Sequence, residues 1–153
     1  MLKKLICASI LVMVTRAIGF AQTPCERLTS LSLPNTTITA AESISAGPYL
    51  PVGLPAAAAQ YAKVRLPAYC RVAAVLTPSS DSHIEIELWM PARASWNGKY
   101  QAVGGGGWVG NFNVAGMLNA LQQDYATSST DTGHKGPEAA FAVGHPEKVI
   151  DFA

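Results

Sequence analysis

Four consecutive glycines, Gly104 to Gly107, constrain this chain more than any other feature. Glycine lacks a Cβ and loses more chain entropy on ordering than other residues, so a run of four interrupts any regular element. A short apolar segment, residues 100–103, precedes the run, and Trp108 follows it directly. We predict a shaped loop at the end of a strand, because a flexible linker would be longer, more polar and rich in serine.

A loop of this kind can serve one of three purposes. Its main-chain N–H groups can form an oxyanion hole, they can cradle a phosphate, or the glycines can allow a tight crossing of the chain. The phosphate site has the least support, since the sequence has no G-x-x-x-x-G-K-[ST] motif and no acidic residue in dinucleotide-binding spacing. The glycines alone leave the oxyanion hole and the packing role open.

Length and composition indicate one domain with a real core. The chain has 153 residues, of which 49% are hydrophobic and 14% are charged. The formal net charge is +1 and lysine and arginine form no cluster, which argues against a nucleic-acid partner.

Residues 1–21 have the pattern of a signal peptide. Lys3 and Lys4 form a positive start, and an apolar run at 5–14 follows that is too short to span a bilayer. Small residues, Gly19 and Ala21, predict cleavage before Gln22. We expect a secreted or periplasmic protein without membrane association after cleavage; the alternative is an uncleaved N-terminal anchor.

The cysteines are consistent with export. Cys7 lies in the predicted signal peptide, so the mature chain keeps two, Cys25 and Cys70. An even pair in an exported protein predicts a disulfide. The alternatives are that each cysteine pairs with a thiol elsewhere, or that both stay reduced.

Two segments in the middle of the chain predict a β-hairpin. Residues 69–76 are apolar and end in turn residues, and residues 84–90 alternate between apolar side chains and Glu85, Glu87 and Trp89. This period of two predicts one buried face, formed by the apolar side chains of Ile84, Ile86, Leu88 and Met90. Residues 36–42 are rich in β-branched side chains and predict an edge strand.

The second half of the chain alternates strands and helices. We predict a strand at 100–103, a helix at 115–123, a strand at 126–130 and a helical piece at 139–143. The order of strand, strand, strand, helix, strand, helix is the one with which α/β-hydrolases open. The predicted fold class is α/β, an incomplete N-terminal portion of an α/β-hydrolase with antiparallel opening strands.

The three histidines suggest little chemistry. His83 lies in a turn and should be solvated, and His145 precedes a helix. His134 follows Asp131 by three residues. The two could form a functional site, or a hydrogen-bonded pair that holds the loop, and we favour the structural role. Their spacing does not suggest a zinc site.

The sequence contains no recognisable nucleophile. No serine lies in a G-x-S-x-G elbow, and Ser128 and Ser129 sit in a small polar run without one.

Several ordered blocks together resemble the N-terminal part of the tannase and feruloyl esterase family. The resemblance extends from about Cys25 to the last residue and is densest from Cys70 onward. The blocks are CRV at 70–72, IEIELWMP at 84–91, WNGKY at 96–100, GGGGWVG at 104–110, YATSSTDTGH at 125–134 and HPEK at 145–148.

The resemblance implies an exported α/β-hydrolase with a large lid domain, which hydrolyses esters of aromatic acids such as gallate or ferulate. It implies a Ser-Asp-His triad beyond residue 153, so no catalytic residue and no metal ligand can be assigned here, and calcium would bind in the missing lid. Residues 22–153 would be the N-terminal part of this domain, inactive alone. The resemblance places an N-terminal disulfide at Cys25 and Cys70, and Gly105 and Gly106 become candidates for an oxyanion loop.

The alternative is a small secreted domain without catalysis that binds a ligand or has a structural role. It would use the aromatic side chains of Trp89, Trp96 and Trp108. Ordinary packing is the favoured role for these three tryptophans.

Overall fold

The computed structural model describes residues 23–51 and 60–153, so the predicted signal peptide at 1–21 lies outside the described residues. The described elements, in chain order, are a 3₁₀ helix (Cys25–Ser30), β1 (Thr36–Ile44), β2 (Gly47–Pro48), β3 (Arg65–Leu66), β4 (Tyr69–Leu76), β5 (Ile84–Pro91), β6 (Tyr100–Ala102), α1 (Val114–Gln122), β7 (Ala126–Thr130), a second 3₁₀ helix (Ala139–Ala142) and α2 (Pro146–Phe152).

The strands form a mixed sheet with few helices around it. Its five strands lie in the order β1-β4-β5-β7-β6, and β2 and β3 pair separately. The pairs β1–β4, β4–β5 and β5–β7 are antiparallel, whereas β6 and β7 are parallel. The predicted hairpin is therefore confirmed as β4–β5, and the predicted edge strand is confirmed as β1, which continues to Ile44.

The parallel pair depends on α1, which connects the end of β6 to the start of β7. Parallel neighbours need a crossover connection of this kind, whereas antiparallel ones need only a turn. The helix begins at Val114 and ends at Gln122, one residue earlier at each end than predicted, because Asn113 caps it. The Asn113 Oδ1 accepts a hydrogen bond from the Gly116 amide at 2.9 Å, which satisfies a donor that the first turn leaves open.

The prediction that β5 buries its isoleucine face was wrong. The most buried side chains of the strand are on the other face, where Glu87 is 2% exposed and Trp89 is fully buried. A charged residue can face this side because Arg71 on β4 pairs with Glu87 across the sheet. The apolar side chains at 84, 86, 88 and 90 are only half-buried.

Trp89 is the centre of the main core. Tyr49 and Tyr69 pack against its ring, with centroid distances of 5.7 and 5.5 Å, and Met117 and Leu121 of α1 belong to the same cluster. Trp89 is therefore unavailable for ligand contact, which corrects the alternative that used it as a binding residue. Trp96 and Trp108 are 48% and 45% exposed.

A second, smaller cluster covers part of the opposite face. Its buried members include Val72, and Leu28 of the first 3₁₀ helix packs against them, as do Leu88 and Met90 of β5. The Cys25–Cys70 disulfide predicted from the sequence joins this helix to β4, with a Cα–Cα distance of 5.6 Å. None of the helices in the described ranges combines the length and the apolar character needed to cross a bilayer.

Candidate functional site

The glycine run forms an exposed loop at the carboxyl end of β6. The last sheet contact is the Val103 amide, which donates to the Ser128 carbonyl of β7 at 2.9 Å. Gly104 to Gly107 are all exposed, and the chain is held again at Gly110, whose amide donates to the Gly136 carbonyl at 2.8 Å. Carboxyl ends of parallel strands are where open α/β sheets place their ligands.

Packing and backbone geometry explain two of the four glycines. Gly107 has φ +60°, a left-handed conformation that side chains disfavour. A Cβ on Gly105 would lie 3.0 Å from the Cβ of Val109. At Gly104 and Gly106, by contrast, φ is not positive, and an added Cβ would meet no atom of the described residues within 4 Å beyond the chain neighbours. The fold of the described residues does not require glycine at these two positions, which favours a role in admitting another group to the main chain.

The amide groups of the loop are open to a ligand. Within the described residues, none of the N–H groups of 104–107 donates a hydrogen bond. The carbonyl groups at the two ends of the loop are held, however. The Asn113 Nδ2 donates to the Gly104 carbonyl at 2.8 Å, and the His134 Nε2 donates to the Trp108 carbonyl at 2.9 Å. The loop therefore combines fixed ends with unused donors, which suits it to bind a negative charge.

Asp131 and His134, which the sequence suggested as a site or a structural pair, both have structural contacts. Asp131 is 1% exposed, and its Oδ1 accepts from the amides of Glu85 and Gly133, each at 2.9 Å. Its Oδ2 accepts from the Lys135 ammonium at 2.7 Å. In the described structure the Asp131 and His134 side chains do not bond each other.

Lys135 stays charged at the rim of this turn. Desolvation alone would lower the pKa of Lys135, but hydrogen bonds to Asp131 and Glu85 outweigh it and raise the pKa above its ordinary value. The side chain is 61% exposed, so we treat these ion pairs as local order rather than as a large contribution to stability.

His134 lies in an aromatic cluster beside the loop. Its ring stacks on Phe141 with a centroid distance of 3.7 Å, and Phe152 packs on the ring of Trp108 at 4.8 Å. His134 is 7% exposed, so its imidazole supports the chain rather than facing solvent.

The other sequence candidates do not converge on the loop. His83 is solvated as predicted, with a side chain that is 63% exposed. His145 contacts Asp81 at 2.7 Å. Ser128 and Ser129 are buried in β7, where they bond Tyr100 and the Asn113 amide. No serine hydroxyl bonds a histidine in the part of the chain that the structure describes.

Metal binding finds no support in these residues. Across residues 23–51 and 60–153, no three His, Cys, Asp or Glu side chains lie close enough together to hold an ion.

Asn113 is the residue that sequence reasoning missed. An asparagine directly before an apolar helical pattern is a capping signal, and it could have placed the start of α1 correctly. Its second contact, with Gly104, follows no sequence pattern because it depends on how the loop folds back over the helix start.

We predict that Gly110→Ala destabilises the protein by about 2–3 kcal/mol through overpacking. A Cβ at Gly110 would lie 2.7 Å from two atoms of the His134 ring and closer still to the His134 carbonyl, and the bond to Gly136 prevents the chain from moving away. Gly106→Ala is the matched control, and its free energy of unfolding should stay within about 0.5 kcal/mol of the wild type. Urea denaturation measures both, and equal midpoints for the two variants would contradict the close contact.

The comparisons with known proteins agree with one another. The family model described as "Tannase and feruloyl esterase" matches residues 70–153. An uncharacterised esterase of Xanthomonas campestris is 42% identical over 135 residues, which cover 86% of this chain and 22% of that protein. Feruloyl esterase C of Talaromyces stipitatus is 28% identical over 131 residues, which cover 84% of this chain and 24% of the relative.

A solved structure of a feruloyl esterase is also similar to this chain. The crystal structure of feruloyl esterase B from Aspergillus oryzae is similar to this chain with a TM-score of 0.72 and 27% identity. The similarity covers 84% of this chain and 25% of the Aspergillus chain. The chain thus spans about a quarter of the length of the relatives it matches.

Proposed function

This chain belongs to the tannase and feruloyl esterase family, and from that membership we propose that it forms the N-terminal part of an α/β-hydrolase that cleaves esters of aromatic carboxylic acids such as ferulate or gallate. In this proposal residues 22–153 belong to the hydrolase domain, and the serine, aspartate and histidine of the triad lie beyond residue 153. The calcium that the family resemblance implies would bind in the lid domain, outside these residues.

The order of the strands supports an α/β-hydrolase. If β4 is counted as the first core strand, the spatial order of the core strands is first, second, fourth and third. Among these four described strands, the second runs antiparallel to the other three. The glycine loop then follows the third core strand and leads to the first helix. In α/β-hydrolases, the loop between the third strand and that helix supplies an oxyanion-hole N–H.

The single observation that carries the proposal is the glycine loop, with its unused amides at the carboxyl end of β6. We assign the N–H groups of Gly105 and Gly106 as the donors from this loop. When the serine Oγ attacks the ester carbonyl carbon, the triad histidine would take the hydroxyl proton, the π electron pair moves to the carbonyl oxygen, and these donors would stabilise the resulting charge. On collapse the histidine would return the proton to the alcohol as it leaves, and water would then hydrolyse the acyl-enzyme to the aromatic acid and the free serine.

The same proposal includes export. The disulfide between Cys25 and Cys70 is suited to an oxidising compartment, and the predicted signal peptide at 1–21 would direct the chain there. The substrate would be a small aromatic ester, and neither a nucleic acid nor a membrane is proposed as a partner after cleavage of the signal.

Gly106→Val tests the role of the loop. Among the described residues, no atom outside the chain neighbours lies within 4 Å of a Cβ built at this position, so we expect stability to be unchanged, whereas the side chain would obstruct the oxyanion. We expect kcat for methyl ferulate or methyl gallate to fall by about 100-fold, the order found when an oxyanion donor is lost. The assay uses the protein expressed from its whole gene.

Gly47→Val is the matched control, because Gly47 lies in β2 and, within 23–51 and 60–153, its added Cβ meets only the Ser45 carbonyl, at 4.0 Å. It should keep wild-type turnover. Equal turnover of Gly106→Val and the wild type would remove the glycines from the mechanism, and a wild-type protein without ester hydrolysis would overturn the proposed function.

A further inference from the structure

Two side chains outside the glycine loop hold its ends in place. Asn113, at the start of α1, donates to the Gly104 carbonyl, and His134, in the turn after β7, donates to the Trp108 carbonyl. We propose that Asn113 and His134 are positioning residues, which orient the loop amides toward the oxyanion of the reaction. This inference rests on the proposed function, because it assigns a task to the loop only if the loop holds a developing charge.

The geometry of the peptide bond connects these contacts to the amides. In a trans peptide the N–H of one residue points opposite to the C=O of the residue before it. The described residues contain no cis peptide bond. The Asn113 contact therefore directs the Gly105 N–H away from α1, and the His134 contact likewise directs the Val109 N–H away from the aromatic cluster.

Without these two contacts the loop would have little reason to keep one conformation. Consecutive glycines have the largest backbone freedom of any residues, and ordering them costs conformational entropy. An oxyanion hole is effective because its donors are already oriented before the charge develops. Fixing the two end carbonyls orders the loop while leaving its own N–H groups unused.

Asn113 is held firmly enough to act as an anchor. Its Oδ1 accepts from the Gly116 amide and its backbone N–H donates to the Ser129 Oγ, both at 2.9 Å. Serine or aspartate would cap the helix about as well. Of these three residues, only asparagine carries an accepting oxygen and a separate donating nitrogen, which bond Gly116 and Gly104 respectively, so the cap alone does not explain the asparagine.

His134 is held in a similar way by its surroundings. The imidazole stacks on Phe141 with an interplanar angle of 11°, and its Nδ1 lies 3.4 Å from the Thr132 Oγ1. A carbonyl oxygen can only accept, so the Nε2 that faces Trp108 carries a proton.

The sharpest variant is Asn113→Asp, which keeps the capping acceptor and replaces the donor by a second carboxylate oxygen facing the Gly104 carbonyl. We expect kcat to fall between about 10- and 100-fold with KM unchanged, as for a small displacement of catalytic groups. The urea midpoint should stay at the wild-type value because the cap is retained. Asn113→Ser shortens the side chain and removes the amide nitrogen that reaches the Gly104 carbonyl, without adding charge, and it should lose less activity.

Asn119→Asp is the matched control for the added charge. Asn119 lies on the exposed side of the same helix, where its side chain contacts Gln123, the residue that follows the last turn of α1. This variant should keep the wild-type kcat.

The second anchor is tested by two substitutions with opposite properties. His134→Phe keeps an aromatic ring against Phe141 but cannot donate to the Trp108 carbonyl, so kcat should fall. His134→Gln keeps an amide donor that can reach the Nε2 position, and it should retain more activity than His134→Phe even if it is less stable. The reverse ranking would overturn the positioning role of His134.

A crystal structure of Asn113→Asp separates failure of this inference from failure of the proposed function. We expect the backbone at 104–107 to be displaced or disordered while α1 still begins at Val114. An unmoved loop would overturn the anchoring contact, and a displaced loop with wild-type kcat would overturn the positioning role. Absence of ester hydrolysis in the wild type would instead overturn the proposed function. The crystal structure of the variant would still show whether the Asn113 contact holds the loop.

Discussion

Replacing Arg71 by methionine should destabilise the protein by about 3–5 kcal/mol, because the substitution leaves a buried carboxylate without its partner. Arg71 is 7% exposed and Glu87 is 2% exposed. The Arg71 Nε donates to the Glu87 Oε2 at 3.1 Å and a second guanidinium nitrogen pairs with Oε1, so the contact is bidentate. The Trp89 indole also donates to Oε2, at 3.0 Å.

The cost comes from the surroundings of Glu87 rather than from the strength of the ion pair. Burial raises the pKa of Glu87 above its ordinary value even though Arg71 and Trp89 donate hydrogen bonds to the carboxylate. When the guanidinium is removed, the group must either keep an unpaired buried charge or take up a proton. Both changes lower the free energy of unfolding.

Two controls separate the buried pair from the exposed one. The double variant Arg71→Met, Glu87→Gln removes both charges but keeps an acceptor for the Trp89 indole, and it should recover most of the lost stability. The Glu42 side chain, the outer partner of Arg71, is 46% exposed. Glu42→Gln should therefore lower the free energy of unfolding by about 1 kcal/mol at most. Urea denaturation midpoints measure the stability of each variant. A loss of stability no larger for Arg71→Met than for Glu42→Gln would contradict this explanation.

Opening the disulfide is the second change with a large expected effect. The bond joins Cys25 and Cys70 across a sequence separation of 45. In the chain-entropy model a closed loop of this length stabilises the folded state by about 4 kcal/mol, because the unfolded chain can no longer separate these two residues. The double variant Cys25→Ala, Cys70→Ala should therefore unfold at a markedly lower temperature than the oxidised wild type.

The native context makes a loss of this size reasonable. Cys25 is 8% exposed and belongs to the small cluster that covers one face of the sheet, next to Val72 and Ala41. Without the bond, the first 3₁₀ helix would be held to β4 and β1 by this cluster and by the Glu26 carboxylate, which accepts from the Ser43 amide at 3.0 Å.

Thermal unfolding with and without reductant provides the measurement. Reductant should lower the Tm of the wild type toward that of the double variant and leave the Tm of the variant unchanged. Identical Tm values for the oxidised and reduced wild type would contradict a stabilising role for the bond.

Local patterns were enough to predict most elements and part of the site. The alternation at 84–90 identified β5, the helical spacing at 115–123 identified α1, and the parity of the mature cysteines predicted the bond between Cys25 and Cys70. The glycine run at 104–107 predicted a shaped loop at the end of a strand, and the structure has a loop there, after β6.

The orientation of β5 shows where local pattern was insufficient. Alternation identifies two faces but does not say which face has the larger partner, and here α1 covers the face of Glu87 and Trp89. The buried glutamate is acceptable only because Arg71 lies on the adjacent strand at the right register. Neither the helix position nor the strand register can be read from the β5 segment itself.

The sequence by itself determined the kinds of element, the disulfide partners and the place of the glycine loop, because each depends on residues close in the chain or on residue type alone. Only the tertiary structure decided the strand order, the parallel pairing of β6 with β7, the burial of Glu87 and the anchoring of the loop by Asn113 and His134. These features join residues from separate elements. Hydrogen bonds between such residues form only after the sheet has assembled and brought their atoms within about 3 Å, and no local periodicity records that distance.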